Sequence, residues 1–396
     1  MHSRLLLAVL AVSVISTWLV TVTFQVLLFD IAKEFTNGQV GTAGFTASVG
    51  AISGAVFGLL VSFLSVRYNH KALLLIGLSC TGIAAVGYYF APNFHFLLLP
   101  NIGVGAGIAL VTGMAYALLG EYYPLQKRGR AIGVLVSAIS LAYIIGAPTV
   151  ALIANAFGWR ATMPLLSLPF TLVSFIAGII IIPNRKQPVT TVEKEPFFTG
   201  CKLAFSNRSS AAALFVTMLM LCESGIVYYS VAFFREQYNF NVDGGSFFVL
   251  LGNIVGTVGG FVSGLLVNRV GRKRLGTITL VMAGTFTLSF TLMPTLELSY
   301  GLGILRFWFS SMAFTAGGAL ILEQIPKFRS TMTSLNAAFM NLGMLLASLV
   351  AGLVLNLYSY QILGVVLGVL GILGAAVWIV LVKEPIKEAK SLTPSD

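Results

Sequence analysis

The chain alternates between long apolar runs and short polar turns. Twelve windows hold at most one charged residue each, and each has the roughly 20 residues that an α-helix needs to cross a bilayer. Strands of a membrane barrel would alternate between apolar and polar positions, which these runs do not. The sequence predicts an all-α membrane protein. The predicted spans are 5–30, 41–65, 72–91, 96–119, 131–156, 161–183, 210–234, 245–268, 275–294, 300–322, 331–355 and 360–383.

An internal repeat divides these spans into two sets of six. Arg67 is followed 54 residues later by Glu121, and Arg269 is followed 54 residues later by Glu323, so the pair recurs at an offset of 202. Such repeats are typical of duplicated transporters. We predict two pseudo-symmetric six-helix bundles. Their bounds are 1–183 and 210–383, with a cytoplasmic linker at 184–209 and a cytoplasmic tail at 384–396.

Composition and charge agree with a membrane protein. Hydrophobic residues make up 57% of the chain, charged residues 9%, and the mean hydropathy is +0.92, which excludes an ordinary soluble protein. Of 24 Lys and Arg residues, all but Lys33, Arg160, Arg235 and Arg306 fall at one end of the predicted spans, here called the basic end. The positive-inside rule therefore places both termini in the cytoplasm.

The net charge of +11 does not require a nucleic-acid partner. A basic cytoplasmic face beside anionic lipid accounts for it. The three cysteines lack the spacing of a disulfide or metal site. No ATP-binding, metalloprotease or nucleophile motif occurs, so we expect no cofactor, no metal and no enzymatic activity, and an ion gradient as the energy source.

Two turns carry a family resemblance. Between the second and third spans of the second half, the chain reads G-x-x-x-N-R-x-G-R-K from Gly264 to Lys273, and the turn after the fourth span reads GEYYPLQKRGRA from Gly120. Both resemble signatures of the major facilitator superfamily, with Asn268 in place of the usual Asp. The segment GAPTVALIANAFGWR at 146–160 is similar to the drug/proton antiporter-like branch of arabinose-type efflux permeases.

The resemblance implies alternating access, with these turns setting the balance between inward-facing and outward-facing states. Arg side chains can hold helix-end carbonyls or carboxylates across the seam between the bundles, and Glu121 and Glu323 are the candidate partners. The alternative is that these cations only fix topology. The candidate gating residues are Arg67, Lys71, Glu121, Arg128, Asn268, Arg269, Arg272, Lys273, Glu323 and Arg329.

Two ionisable residues fall inside predicted spans, where charge is costly. Glu223 lies near the middle of the seventh span, and Arg306 lies in the tenth. A lone buried carboxylate favours its neutral form, so Glu223 is suited to bind a proton or a cationic substrate group. Arg306 is suited to hold an anionic substrate or to pair with Glu223. The alternatives are a carboxyl group satisfied by a neighbouring hydroxyl and a structural or snorkelling arginine.

Further polar and aromatic residues are candidates for lining a substrate cavity. On the first span, Trp18 and Gln25 share a helical face with Thr21, while Asp30 falls at the outer mouth, where solvation is its simplest interpretation. Interhelical packing is the alternative for each candidate. The others are Tyr143, Tyr228, Asn253, Asn336 and Asn341.

The sequence therefore predicts a monomeric secondary transporter, multi-pass in the cell membrane. We expect proton-coupled efflux of a small organic or amphipathic compound by alternating access. Asn101 stands where proton-coupled efflux members carry an arginine, which leaves import by a proton symporter or facilitator open. A transport-dead membrane sensor or scaffold is the alternative of another class.

Overall fold

The computed structural model describes residues 2–123, 125–184, 197–321, 323–325 and 328–384. Within these ranges the chain is helical almost throughout. The helices are α1 His2–Phe35, α2 Val40–Arg67, α3 His70–Tyr89, α4 Phe94–Tyr122, α5 Leu125–Phe157, α6 Leu168–Ile181, α7 Phe197–Ser206, α8 Arg208–Ser224, α9 Ile226–Tyr238, α10 Val242–Val270, α11 Arg272–Phe290, α12 Leu296–Ile321, α13 Arg329–Leu357 and α14 Tyr360–Leu381.

Each predicted span coincides with helix in the structure. By length and composition, 10 helical stretches of the described chain are long and apolar enough to cross a membrane. The two predicted spans outside that set correspond to α11, which begins with Arg272, Lys273 and Arg274, and to α12, which carries Arg306. The all-α prediction is confirmed for the residues that the structure describes.

The seventh span, predicted as one helix, is interrupted at Gly225. The Gly225 N–H bonds to Leu221 O and Cys222 O at 3.1 Å, which closes α8 before α9 begins. A Cβ at position 225 would lie 2.2 Å from Ala347 Cβ, so glycine allows α13 to approach the break. The interruption places Glu223 in the last turn of α8.

The sixth span also begins irregularly. A 3₁₀ turn at Trp159–Ala161 and a π-helical turn at Met163–Ser167 precede α6. Pro164 and Pro169 lack the N–H groups that a regular helix would use here, which explains the departure from α geometry.

The predicted linker contains a helix that the sequence analysis did not identify. In α7, Ala204 is fully buried, and a Cβ at Gly200 would lie 2.8 Å from side-chain atoms of Phe328 and Thr331. Asn207 Oδ1 then accepts a hydrogen bond from Ser209 N at 2.9 Å and caps α8. Residues 185–196 and the tail 385–396 lie outside the described residues.

Backbone contacts divide the chain into two compact units. Unit 1 comprises Met1–Thr190, Val227–Asn253 and Ser348–Tyr358, and unit 2 comprises Thr191–Ile226, Ile254–Ala347 and Ser359–Asp396. The boundaries between the two units fall inside the seventh, eighth and eleventh predicted spans. The division into bundles 1–183 and 210–383 therefore stays a prediction.

Unit 1 is built on the first six spans. A core of buried apolar residues from α1, α3, α4 and α5 includes Leu10, Leu74, Val111 and Leu135. Polar contacts attach the later segments of the unit to α1 and α2. Gln25 Nε2 donates to Val227 O at 3.1 Å, and Ser348 donates to Gly44 O at 2.8 Å.

Unit 2 packs α11 and α8 against α14. A Cβ at Gly368 would lie 2.8 Å from Gly284 O, so small residues allow α11 and α14 to approach closely. Trp378 is fully buried and donates its Nε1–H to Lys273 O at 3.1 Å. This close packing brings α8, α11 and α14 together around Glu223.

Candidate functional site

A buried ion pair occupies the interior of unit 2. Arg306 Nε of α12 donates to Glu223 Oε1 of α8 at 3.0 Å, and the two residues are 3% and 2% exposed. Thr287 of α11 donates its hydroxyl to the same carboxylate oxygen, and Arg306 Nε lies 3.1 Å from Thr287 Oγ1. The expectation of a lone carboxylate is wrong, because Glu223 has a cation and a hydroxyl as partners. The predicted contact with Arg306 is present.

Space for the Glu223 side chain comes from a glycine on α14. A Cβ at Gly371 would lie 2.8 Å from Glu223 Cγ. The second carboxylate oxygen, Oε2, is 3.3 Å from Ser224 Oγ, which in turn lies 3.3 Å from Ser310 Oγ. Both oxygens of Glu223 therefore have partners, as a buried carboxylate requires.

A cavity of about 200 Å³ adjoins the pair. This volume is equivalent to about six or seven water molecules at about 30 Å³ each. Two phenylalanines and three serines give it both apolar and hydroxyl-bearing walls. It is lined by Met220, Leu221, Ser224, Arg306, Phe307, Ser310, Ser311 and Phe314.

Arg306 keeps unused hydrogen-bonding capacity. Its Nη2 atom is buried and has no hydrogen-bond partner among the described residues. An unsatisfied donor on a buried charged group is costly. The serine hydroxyls of the cavity lining can bind a polar compound through hydrogen bonds.

The other candidates of the second half do not line this cavity. Asn336 Oδ1 accepts from Thr217 at 3.1 Å, and its Nδ2 faces Met340 Sδ at 3.6 Å. Asn341 donates to Ala337 O at 3.0 Å within its own helix. Asn336 borders a crevice of about 30 Å³ beside Trp378, which is too small for a substrate of several atoms.

Trp18 and Tyr143 form an aromatic pair in unit 1, which also contains the candidates Tyr228, Gln25 and Asn253. The rings of Trp18 and Tyr143 lie 6.2 Å apart, and Trp18 Nε1 is buried with no hydrogen-bond partner among the described residues. Tyr228 packs against the apolar cluster that contains Phe24. Gln25 is held by Val227 O, as described above. Asn253, also in unit 1, donates to Val249 O at 2.8 Å.

The two glutamates of the E-x-x-P turns make equivalent contacts. His70 Nδ1 of α3 lies 2.6 Å from Glu121 Oε1, and Arg272 of α11 pairs with Glu323. Each contact joins neighbouring segments of one half, rather than crossing a seam between the halves. Arg67 and Arg269, the basic residues that define the 54-residue repeat, are exposed. A role in gating stays a prediction.

Other basic residues hold helix ends. Lys71 Nζ donates to Ile179 O and Ile182 O at 2.7 Å, at the end of α6, and Arg128 Nε donates to Tyr123 O at 2.8 Å, after α4. These contacts satisfy terminal carbonyls. Lys273 contributes its backbone carbonyl to the Trp378 contact. The side chains of Asn268 and Arg329 lie outside the described part of the structure.

Sequence reasoning missed Arg235 and His70 as ion-pair partners. Arg235 of α9 forms a two-pronged contact with Asp30 of α1, with Nη2 to Oδ1 at 2.9 Å, so Asp30 is not simply solvated. The Arg235 guanidinium also lies over the Phe29 ring at 4.7 Å. His70 lies at the start of α3, beside Glu121. The 202-residue offset applied to Arg272 identifies position 70 and would have revealed it.

Comparison with known proteins agrees with this architecture. The family model described as Major Facilitator Superfamily matches residues 6–308 and 298–396. A probable sugar efflux transporter of Helicobacter pylori (strain G27) is 22% identical over 356 residues, which cover 89% of this chain and 88% of that protein. YcnB of Bacillus subtilis (strain 168), named as an uncharacterized MFS-type transporter, is 27% identical over 190 residues, which cover 48% of this chain and 38% of that protein.

Solved structures share the fold at low sequence identity. A D-xylose-proton symporter is 15% identical with a TM-score of 0.78 and covers 97% of this chain and 99% of its own. The nucleoside transporter NupG is 14% identical with a TM-score of 0.76, with coverages of 95% and 98%. With the family match extending along most of the sequence, the chain belongs to the major facilitator superfamily and is a multi-pass membrane transporter, not an enzyme.

Proposed function

We propose that this transporter exports a small organic compound by alternating access, in exchange for protons. The observation that carries the proposal is the buried Glu223–Arg306 pair beside a polar cavity in unit 2. A buried ion pair is weak evidence for stability, since its desolvation cost is large, and it occurs in transporters where ions or substrates bind. Efflux is supported by the named activity of the Helicobacter relatives, which match over nearly the whole chain.

Glu223 is the proposed proton-binding group. While it is ionised, it holds Arg306, which lines the cavity, through Nε. A proton on Glu223 removes the counter-charge that orients Arg306, so the binding site for the compound is lost. Proton and compound then bind alternately, which is the requirement for exchange and agrees with the resemblance to the antiporter-like branch.

The proposed setting is the cell membrane, with both termini in the cytoplasm and a monomer as the working unit. The basic end of the helices then faces anionic lipid. The two glutamate contacts, His70–Glu121 and Arg272–Glu323, lie at this end and would help to set the balance between states.

The experiment uses proteoliposomes and a panel of radiolabelled sugars, with an imposed pH gradient. The expected result is substrate movement against the direction of proton flow, abolished by a protonophore. Glu223→Gln should lose gradient-driven movement, and Glu297→Gln, an exposed position in the first turn of α12, should retain it. Movement at the wild-type rate in Glu223→Gln would rule out this coupling group.

The same assay separates the other candidate functions. A proton symporter that imports a metabolite would move substrate in the same direction as the protons. A facilitator would move substrate at a rate that does not depend on the proton gradient. A sensor or scaffold without transport activity would bind the compound and produce no flux.

A further inference from the structure

We propose that the Ser224 hydroxyl is the proton relay between the cavity and Glu223, and that Ser310 extends this relay into the cavity. This inference rests on the proposed function and names the route by which its coupling group gains and loses a proton. The relay consists of three oxygen atoms of unit 2. Ser224 Oγ lies 3.3 Å from Glu223 Oε2 and 3.3 Å from Ser310 Oγ.

Glu223 does not reach the cavity by itself. Its side chain is 2% exposed, and it is not part of the lining of the cavity of about 200 Å³. A proton that binds to this carboxylate must therefore pass through another group. Within the described chain, Ser224 and Arg306 both line the cavity and form hydrogen bonds with the carboxylate.

The oxygen Oε1 of Glu223 is not open to a proton from the cavity. It accepts hydrogen bonds from Arg306 Nε at 3.0 Å and from the Thr287 hydroxyl. Arginine keeps its charge in proteins, so Arg306 does not pass a proton on. Thr287 is fully buried and is not part of the cavity lining. The proton is therefore expected at Oε2, the oxygen that Ser224 contacts.

The hydrogen bonds of the relay have one direction while Glu223 is ionised. Ser224 donates its hydroxyl proton to Glu223 Oε2. A serine hydroxyl has one proton to donate and two lone pairs that accept, so Ser224 Oγ is the acceptor in its contact with Ser310. Ser310 is then the donor, and its oxygen can accept a hydrogen bond from water in the cavity.

Proton uptake is a shift along these hydrogen bonds. A hydronium ion in the cavity gives a proton to Ser310 Oγ, Ser310 gives its own proton to Ser224 Oγ, and Ser224 gives its own to Glu223 Oε2. Three O–H bonds form and three break, the hydronium becomes water, and the carboxylate becomes a neutral carboxyl group. Release is the reverse shift. Both gaps exceed the roughly 2.7–2.8 Å of a typical O–H···O bond, so the hydroxyls must approach each other during transfer.

The other groups that face Glu223 do not offer a second route in the part of the chain that the structure describes. The elements packed against it contribute the charged Arg306 from α12, Thr287 from α11 and Gly371 from α14. Cys222, its neighbour in α8, is a buried thiol that is not part of the cavity lining. Loss of the Ser224 hydroxyl should therefore slow proton exchange at Glu223.

The test follows protonation of Glu223 by time-resolved infrared spectroscopy after a pH jump. It uses the purified full chain in detergent, and the proton is the only ligand required. The Glu223→Gln variant identifies the carboxyl band of Glu223 by its loss. After a jump that is large enough to complete the reaction, Ser224→Ala should reach the wild-type band intensity at least about tenfold more slowly. Ser224→Thr keeps a hydroxyl and should recover most of the rate.

Two further variants separate the relay from a general effect on the fold. Ser310→Ala should slow the reaction less than Ser224→Ala, because Ser224 itself lines the cavity and can accept a proton from water there. Ser299→Ala is the matched control and should react at the wild-type rate. Ser299 lies on the same helix as Ser310 and donates its hydroxyl to Phe290 O at 2.7 Å, away from the cavity lining.

Failure of the inference differs from failure of the proposed function. A Glu223 band that appears in Ser224→Ala at the wild-type rate overturns the relay, because water would then reach the carboxylate directly, and it leaves proton exchange intact. A wild-type protein in which no pH jump produces a Glu223 band contradicts the proposed function, and the relay fails with it.

Discussion

His70 and Glu121 form a side-chain contact that Arg272 and Glu323 repeat 202 residues later in the chain. The His70 Nδ1 to Glu121 Oε1 distance is 2.6 Å, and the side chains are 13% and 31% exposed. The two halves thus share this contact, but the basic partner of the glutamate is a histidine in the first half and an arginine in the second. Arginine is always charged, whereas histidine carries a charge only when it is protonated.

The first prediction concerns this difference. An arginine at position 70 would carry a permanent charge beside Glu121, as Arg272 does beside Glu323. His70→Arg should therefore raise the melting temperature relative to wild type. Because Glu121 is partly exposed, the gain should stay below about 1 kcal/mol. His95→Arg, at an exposed position, is the control, and an equal shift in melting temperature for both variants would contradict this prediction.

A second prediction concerns the stability of the Glu223–Arg306 pair. Glu223→Ala leaves a buried guanidinium without its counter-charge and should cost about 3–5 kcal/mol. The double change Glu223→Ala and Arg306→Met removes both charges and should be less destabilising than Glu223→Ala alone. Chemical or thermal unfolding in detergent measures both. Additive losses in the double variant would show that the two side chains do not interact.

A third prediction concerns Gly371. A Cβ at this position would lie 2.8 Å from Glu223 Cγ, in a tightly packed part of unit 2. Gly371→Ala should displace the Glu223 side chain, cost about 1–3 kcal/mol and slow transport. Gly301→Ala on α12 is the matched control, since a Cβ there meets nothing within 4 Å. Wild-type transport in Gly371→Ala would show that the Glu223 position tolerates this displacement.

The fourth prediction concerns Asp30 and Arg235 in unit 1. Their two-pronged contact joins α1 to α9, and Arg235 is 11% exposed. Asp30→Arg and Arg235→Asp should each reduce transport, because each places two like charges in contact. The charge-reversed double variant should recover part of the activity. If the double variant is as impaired as the sum of the two single variants, the two side chains do not act through their mutual contact.

Much of the fold could be predicted from the sequence, because apolar runs and the 202-residue repeat are local or periodic signals. The helix break at Gly225 was missed because glycine also occurs inside unbroken membrane helices. Glu223 and Arg306 were identified because charge inside a span is rare. Thr287 was not, since a threonine in an apolar helix carries no signal until packing places it beside a carboxylate. The Arg235 contact was missed for the same reason.

Proton release on substrate binding would show directly that a proton on Glu223 and the transported compound exclude each other. Purified transporter in weakly buffered detergent solution is mixed with a sugar that binds, and the change in pH is recorded. The proposed exchange predicts that wild type and Glu297→Gln release protons when the sugar binds, because the compound binds only when Glu223 is ionised, and that Glu223→Gln releases none. Proton uptake by wild type, or equal release by Glu223→Gln, would contradict it.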